Sequence, residues 1–169
     1  MKFLWRHVLA ISALMAASLL ATCGGNEALD LGQYFRRVED IEEAAETRAN
    51  ALNEQSQGLG QDIEATRSYF EGFEAIQADI LNDLNDMHPP AEARDAHVEY
   101  VAALEEALAL TGGFSDRLAA VQSSSDLEAV VSGLNDPAFD ATLQRLSDAC
   151  LELQRIAADN GIEVDLRCD

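Results

Sequence analysis

Residues 61–90, QDIEATRSYFEGFEAIQADILNDLNDMHPP, decide how this chain folds. Ile63, Tyr69, Phe70, Phe73, Ile76, Ile80, Leu84 and Met87 recur at spacings of three and four, which places them along one side of an α-helix. The stretch carries three aromatic residues, Tyr69, Phe70 and Phe73, more than any other predicted helix, so it predicts a helix over 61–86 with a large apolar face to bury. His88-Pro89-Pro90 ends it, because a residue before proline is pushed out of the helical region. Pro90 also suits the first turn of a following helix.

The same period continues on both sides. Upstream, Leu31, Phe35, Val38, Ile41 or Glu42, Ala45, Ala49 and Leu52 follow it, with Glu39, Glu43 and Glu46 mostly on the other face. This helix stops in Gln57-Gly58-Leu59-Gly60, where two glycines within three residues favour a turn. Downstream, a third helix presents His97 or Val98, Val101, Leu104, Leu108, Thr111, Phe114, Leu118 and Val121, with Gly112-Gly113 as a kink or a break. Ser123-Ser124-Ser125-Asp126 reads as a loop ending in a helix cap, before one or two turns over 127–134. Asn135-Asp136-Pro137 restarts a helix, with Asp136 as N-cap and Pro137 in the first helical position. Phe139, Leu143, Leu146, Cys150, Leu153, Ile156 and Ala157 form its expected buried face.

The predicted fold is therefore all-α: an up-down antiparallel bundle of four principal helices plus one short helix, with an extended C-terminal tail. The bundle occupies 31–169 as one domain, preceded by a leader at 1–22 and a short polar tether at 23–30. Asn160-Gly161 supplies a left-handed helix stop, after which 162–166 alternates like an extended strand. A chain that doubles back at Gly161 lays Ile162, Val164 and Leu166 along the bundle and brings Cys168 beside Cys150. In an exported protein that pair forms a disulfide worth about 3 kcal/mol. In a reducing compartment both stay thiols, with Cys150 simply buried in its stripe.

Lys2 and Arg6 open the chain with positive charge, 8–20 is an almost unbroken apolar run, and Leu20-Ala21-Thr22-Cys23 closes it on small residues. Those last four residues resemble the lipobox of bacterial lipoproteins, in which a diacylglyceryl group is added to the cysteine and cleavage follows just before it. The resemblance implies lipidation at Cys23. Thr22 departs from the pattern, where Gly, Ala or Ser is usual, which leaves an ordinary cleaved signal and a secreted product as the alternative. An uncleaved membrane helix fits poorly, since the 15 residues of 8–22 at about 1.5 Å each fall short of a roughly 30 Å hydrocarbon core.

All 31 acidic residues lie after Cys23 while two of the 11 basic ones lie before it, so the exported part carries 9 cations against 31 anions, net −22. That field disfavours nucleic acid and anionic lipid surfaces as partners, because phosphate binding needs clustered Lys or Arg. The expected membrane attachment is the lipid on Cys23.

Motifs that carry chemistry are few. His88 and His97 are the histidines beyond the leader, and neither belongs to a metal-binding pattern. No Glu-x-x-His, His-Glu-x-x-His, phosphate loop or nucleophile elbow occurs. Asp159-Asn160-Gly161-Ile162-Glu163-Val164-Asp165 lacks the ligand order of a calcium loop and reads as a helix stop. His97, beside the apolar stripe near the Pro-Pro corner, is the first candidate ligand-binding residue and His88 the second. A functional His97 would need partners from other helices, such as Glu64, Tyr69 or Asp86; otherwise it is a hydrogen-bonded structural residue.

Taken together, the lipobox-like start, the Pro89-Pro90-to-His97 corner and the terminal cysteine pair resemble small helical lipoproteins of bacteria. No activity or catalytic residue comes with that resemblance. The expectation is a lipid-anchored extracytoplasmic protein, not an enzyme and without a cofactor, acting as an interaction module for a protein partner in the cell envelope. A bundle that binds a small ligand or metal cation is the alternative. A polar pocket near His97 would favour the second, and an exposed apolar groove the first.

Overall fold

The computed structural model describes residues 29–55, 59, 61–135 and 137–168. The leader, the lipidation read at Cys23 and the N-cap read at Asp136 lie outside the described residues. Among the described residues five α-helices follow one another: α1 Leu31–Gln55, α2 Ile63–Asn85, α3 Arg94–Ala119, α4 Ser124–Ser132 and α5 Pro137–Asp159, with one 3₁₀ turn, Gly133–Asn135, before α5. No strand occurs among the described residues. The fold is an up-down bundle in which α2 packs on α1 and α3, α3 packs on α5, and α1 meets α5 only lightly. That light seam proves to matter.

Local chemistry sets the boundaries. Asp30 begins α1 by accepting the Gln33 N–H at 2.9 Å, while the Leu29 N–H donates to the His88 carbonyl at 3.2 Å. The last two tether residues therefore already belong to the bundle. Asp62, in extended conformation, caps α2 by accepting the Ala65 N–H at 2.8 Å. At the Pro-Pro corner α3 starts later than the sequence suggests, at Arg94, because Pro90 sits in a preceding turn closed by the Ala93 N–H on its carbonyl. Gly112-Gly113 leaves α3 unbroken; buried Thr111, Phe114 and Leu118 hold that segment in register. Helix α4 starts earlier than expected, since Ser123 is its N-cap and Asp126 completes a capping box.

The end of α5 turns the chain back. Gly161, at φ 70°, takes the left-handed position, its N–H reaching the Ala158 carbonyl and the Ile162 N–H the Ala157 carbonyl at 2.9 Å. These are the paired bonds of a Schellman stop. The tail then runs antiparallel to α5, and the Gln154 side chain does the work of a neighbouring strand, donating to the Val164 carbonyl and accepting the Leu166 N–H. Leu166 is fully buried, and Cys150 and Cys168 are disulfide-bonded with Cα atoms 5.4 Å apart.

Two apolar clusters result. The larger, at the start of α1 and α3 and the ends of α2 and α5, contains Tyr34, Phe35, Leu84, Tyr100, Leu153 and Leu166. The smaller, at the other end, is Phe114, Leu118, Val121 and Leu127, drawn from α3, α4 and the loop between them.

Candidate functional site

Between the two clusters, where α1 and α5 draw apart, lies a cleft of about 1110 Å³. Its apolar surface is built from α2 and α3, by Phe73, Ile76, Ile80 and Leu104, with Leu146 from α5. Ala45 and Ala49 form the α1 wall, and their small side chains keep the cleft wide. Leu143 of α5 stands on the opposite side at 45% exposure, although it continues the stripe expected to be buried. Asp165, Arg167 and Cys168 of the tail also line it, so the disulfide is part of its wall.

One polar group in this wall is unpaired. Gln77 is 6% exposed, and its Oε1 has no hydrogen-bond partner. A buried acceptor left unmade is costly, and most such groups in folded proteins are satisfied.

Charge gathers around the cleft. Glu42, Glu46, Asp140 and Asp165 line it with a single cation, Arg167. The Tyr100 hydroxyl donates to Glu42 Oε1 at 2.5 Å. Burial pushes the Glu42 carboxyl above the usual carboxylate range, opposed by that hydrogen bond and by the attraction of Arg167. Burial, then the neighbouring Glu42, pushes the Tyr100 phenol up. Arg167 reaches its place through a left-handed backbone, φ 52°, which costs a residue with a Cβ about 1–2 kcal/mol. Ties on both sides hold it there: its N–H donates to Asp165 Oδ1, its guanidinium pairs with Glu46, and Cys168 follows in the disulfide.

His97 and His88 line none of this cleft. His97 is buried in the larger cluster, its Nδ1 3.0 Å from the Tyr34 hydroxyl, and burial lowers its pKa so that the neutral ring is favoured. The partners considered for it lie elsewhere: Tyr69 donates to Asn53, Glu64 faces Arg67, and exposed Asp86 closes α2 through its backbone N–H. Tyr34, one residue before the stripe position Phe35, supplies the contact instead. His88 is exposed at the corner and contributes its backbone carbonyl to Leu29.

No cluster of three or more His, Cys, Asp or Glu among the described residues has the geometry to hold a metal ion. Among the same residues no helix is long and apolar enough to cross a membrane. The fold and cleft define a small disulfide-linked helical bundle with an acidic-edged apolar recess. Comparison with protein-family models, with curated proteins and with solved structures finds no match to the chain.

The residues that make the cleft were only partly visible in the sequence. Ala45, Ile76, Ile80 and Leu146 sit on predicted stripes, but stripes do not say where two helices part. Gln77 was missed; a glutamine beside Ile76 and in line with Phe73 and Ile80 was the available signal.

Proposed function

We propose that the protein is a non-enzymatic binding module of the cell envelope, held outside the cytoplasm by a lipid on Cys23, with the α1–α5 cleft as its binding surface. The observation that carries this reading is the cleft itself, walled by four helices and the tail around an apolar floor. The export reading rests on the leader-like 1–22 and is supported by the Cys150–Cys168 bond, since such bonds persist in oxidising compartments.

The recess is apolar and His97 lines none of it, the outcome expected to favour a segment of an envelope protein, but its short extent favours a small ligand instead. The walls contributed by α1 and α2 extend over only about two helical turns, which suits a small ligand better than a helix that lies across.

Nile red, a neutral dye whose emission shifts to the blue in apolar surroundings, tests the cleft. It should bind the wild-type protein, and Ala49→Trp should abolish binding with helical content unchanged. Binding retained in Ala49→Trp would move the site elsewhere. The intact mass of membrane-extracted protein tests the anchor: a chain beginning at Cys23 and heavier by a diacylglyceryl group is expected, and a soluble chain that keeps 1–22 would refute it.

A further inference from the structure

We infer that the occupant of the cleft is an amphiphilic organic cation, an ammonium with N–H donors attached to an apolar body. The inference rests on the cleft being the binding surface and specifies what it selects. Three features converge on that chemistry.

The first is Gln77, a wall residue more than nine-tenths buried, whose unpartnered Oε1 is sealed from the open cleft and takes a donor from the occupant when the side chain turns outward. The second is charge. Four carboxylates, Glu42, Glu46, Asp140 and Asp165, line the cleft against Arg167, whose guanidinium is already paired with Glu46. The whole chain adds a formal net charge of −20, so anions are repelled and cations concentrated at the mouth. The third is the floor. Phe73, Ile76, Ile80 and Leu104 offer nothing to a hydrated inorganic ion but cover an alkyl or aryl body well, and the Phe73 ring adds a face that attracts cations. A bare metal ion is a poor match besides, because the described residues hold no group of three suitable ligands. A single molecule satisfies all three features when its ammonium sits among the carboxylates within reach of Gln77 and its apolar body lies on the floor.

Four probes with one chain length separate these contributions: decylammonium, decyltrimethylammonium, decanol and decyl sulfate, titrated calorimetrically below their micelle concentrations into the disulfide-bonded protein. Decylammonium should bind tightest. The trimethyl probe, which keeps the charge but has no N–H, should bind about 10-fold more weakly, the loss expected for one charge-assisted hydrogen bond. Decanol should be weaker again and decyl sulfate undetectable.

Gln77→Leu should erase the preference for the primary over the quaternary ammonium while leaving the quaternary probe's affinity in place, an outcome that loss of folding would not produce. Glu42→Gln should weaken both cations and leave decanol unchanged. Equal binding of decanol and decylammonium, or any binding of decyl sulfate, overturns the cation inference while the cleft reading stands. Nile red bound with none of the four probes bound does the same. A basic amphipathic peptide that displaces Nile red where decylammonium does not overturns it in favour of a protein segment. Failure of Nile red and of all four probes removes the cleft reading as well.

Discussion

The two ends of this bundle are closed by different means, and the cleft lies where one arrangement gives way to the other. At the end holding Tyr34, Leu84, Leu153 and Leu166, four helices converge, the tail covers the seam, and Cys150–Cys168 locks the tail in place. At the other end the buried cluster draws only on α3, α4 and the loop between them, with partly buried residues of α2 packed against it. There a polar device substitutes for a helix. Arg67 of α2 donates to the carbonyls of Leu118, Ala119 and Val121, supplying donors where α3 ends. The buried core narrows from four helices at one end to α3 and α4 at the other, and α1 and α5, which contribute nothing to the second cluster, part between them. The recess is a geometric consequence of that taper.

The largest test of the contrast compares two leucines, both essentially inaccessible, one in each cluster. Leu153→Ala should cost about 3–5 kcal/mol, since the surrounding helices and cross-linked tail cannot collapse into the void. Leu127→Ala should cost about 2–3 kcal/mol, because nine-residue α4 is free to shift and fill part of it. Urea denaturation of both variants measures the gap, and equal costs would mean that the two ends are equally rigid. Reduction of the disulfide, which spans 18 residues, should remove about 3 kcal/mol. It should also weaken Nile red binding, because Asp165, Arg167 and Cys168 are wall residues. Unchanged dye affinity after reduction would show that hydrogen bonds alone keep the tail docked.

Arg67→Ala comes next, at about 2 kcal/mol for a charged donor bonded to helix-end carbonyls. Its signature is local. Amide exchange should accelerate over 118–132 and remain slow around Leu84 and Leu153. Acceleration spread over both ends would mean that the bundle unfolds as one unit and the contrast is only static.

Much of this architecture was legible in the sequence, because helices with three-four stripes and short connections leave few ways to pack. The tail was legible for a related reason: Gly161, the alternation after it and the spacing of Cys150 from Cys168 all specify one reversal. What periodicity misses is the distance between helices that are not neighbours in sequence. Leu143 reads as core by its spacing and is 45% exposed, since nothing local records that α1 has moved away from α5 at that level. The His97 contact was hidden for the same reason. Its partner Tyr34 lies 63 residues earlier, next to a stronger stripe residue, and no spacing rule connects the two.

That contact gives the smallest test. Burial lowers the pKa of His97 below its ordinary value of 6.5, so the unfolded chain takes up a proton first as the pH falls. Stability from the neutral ring is present above 6.5 and is lost as the pH drops through the folded-state value. Glu42 works in the opposite direction. Its folded-state pKa is raised above 4.5, so its contribution is present below that value and disappears as the pH rises through the folded one. Overall charge repulsion also eases in acid, which makes a single pH profile ambiguous. The difference between wild type and His97→Gln isolates the histidine: the two urea midpoints should separate at neutral pH and converge as the pH is lowered from 7.5 to 5.5. A constant separation would show that the ring takes a proton as readily folded as unfolded. Nile red affinity should be indifferent to His97→Gln throughout, because the imidazole belongs to the sealed end. If the dye follows the histidine, the sealed end and the cleft are one coupled site, and the division between them does not hold.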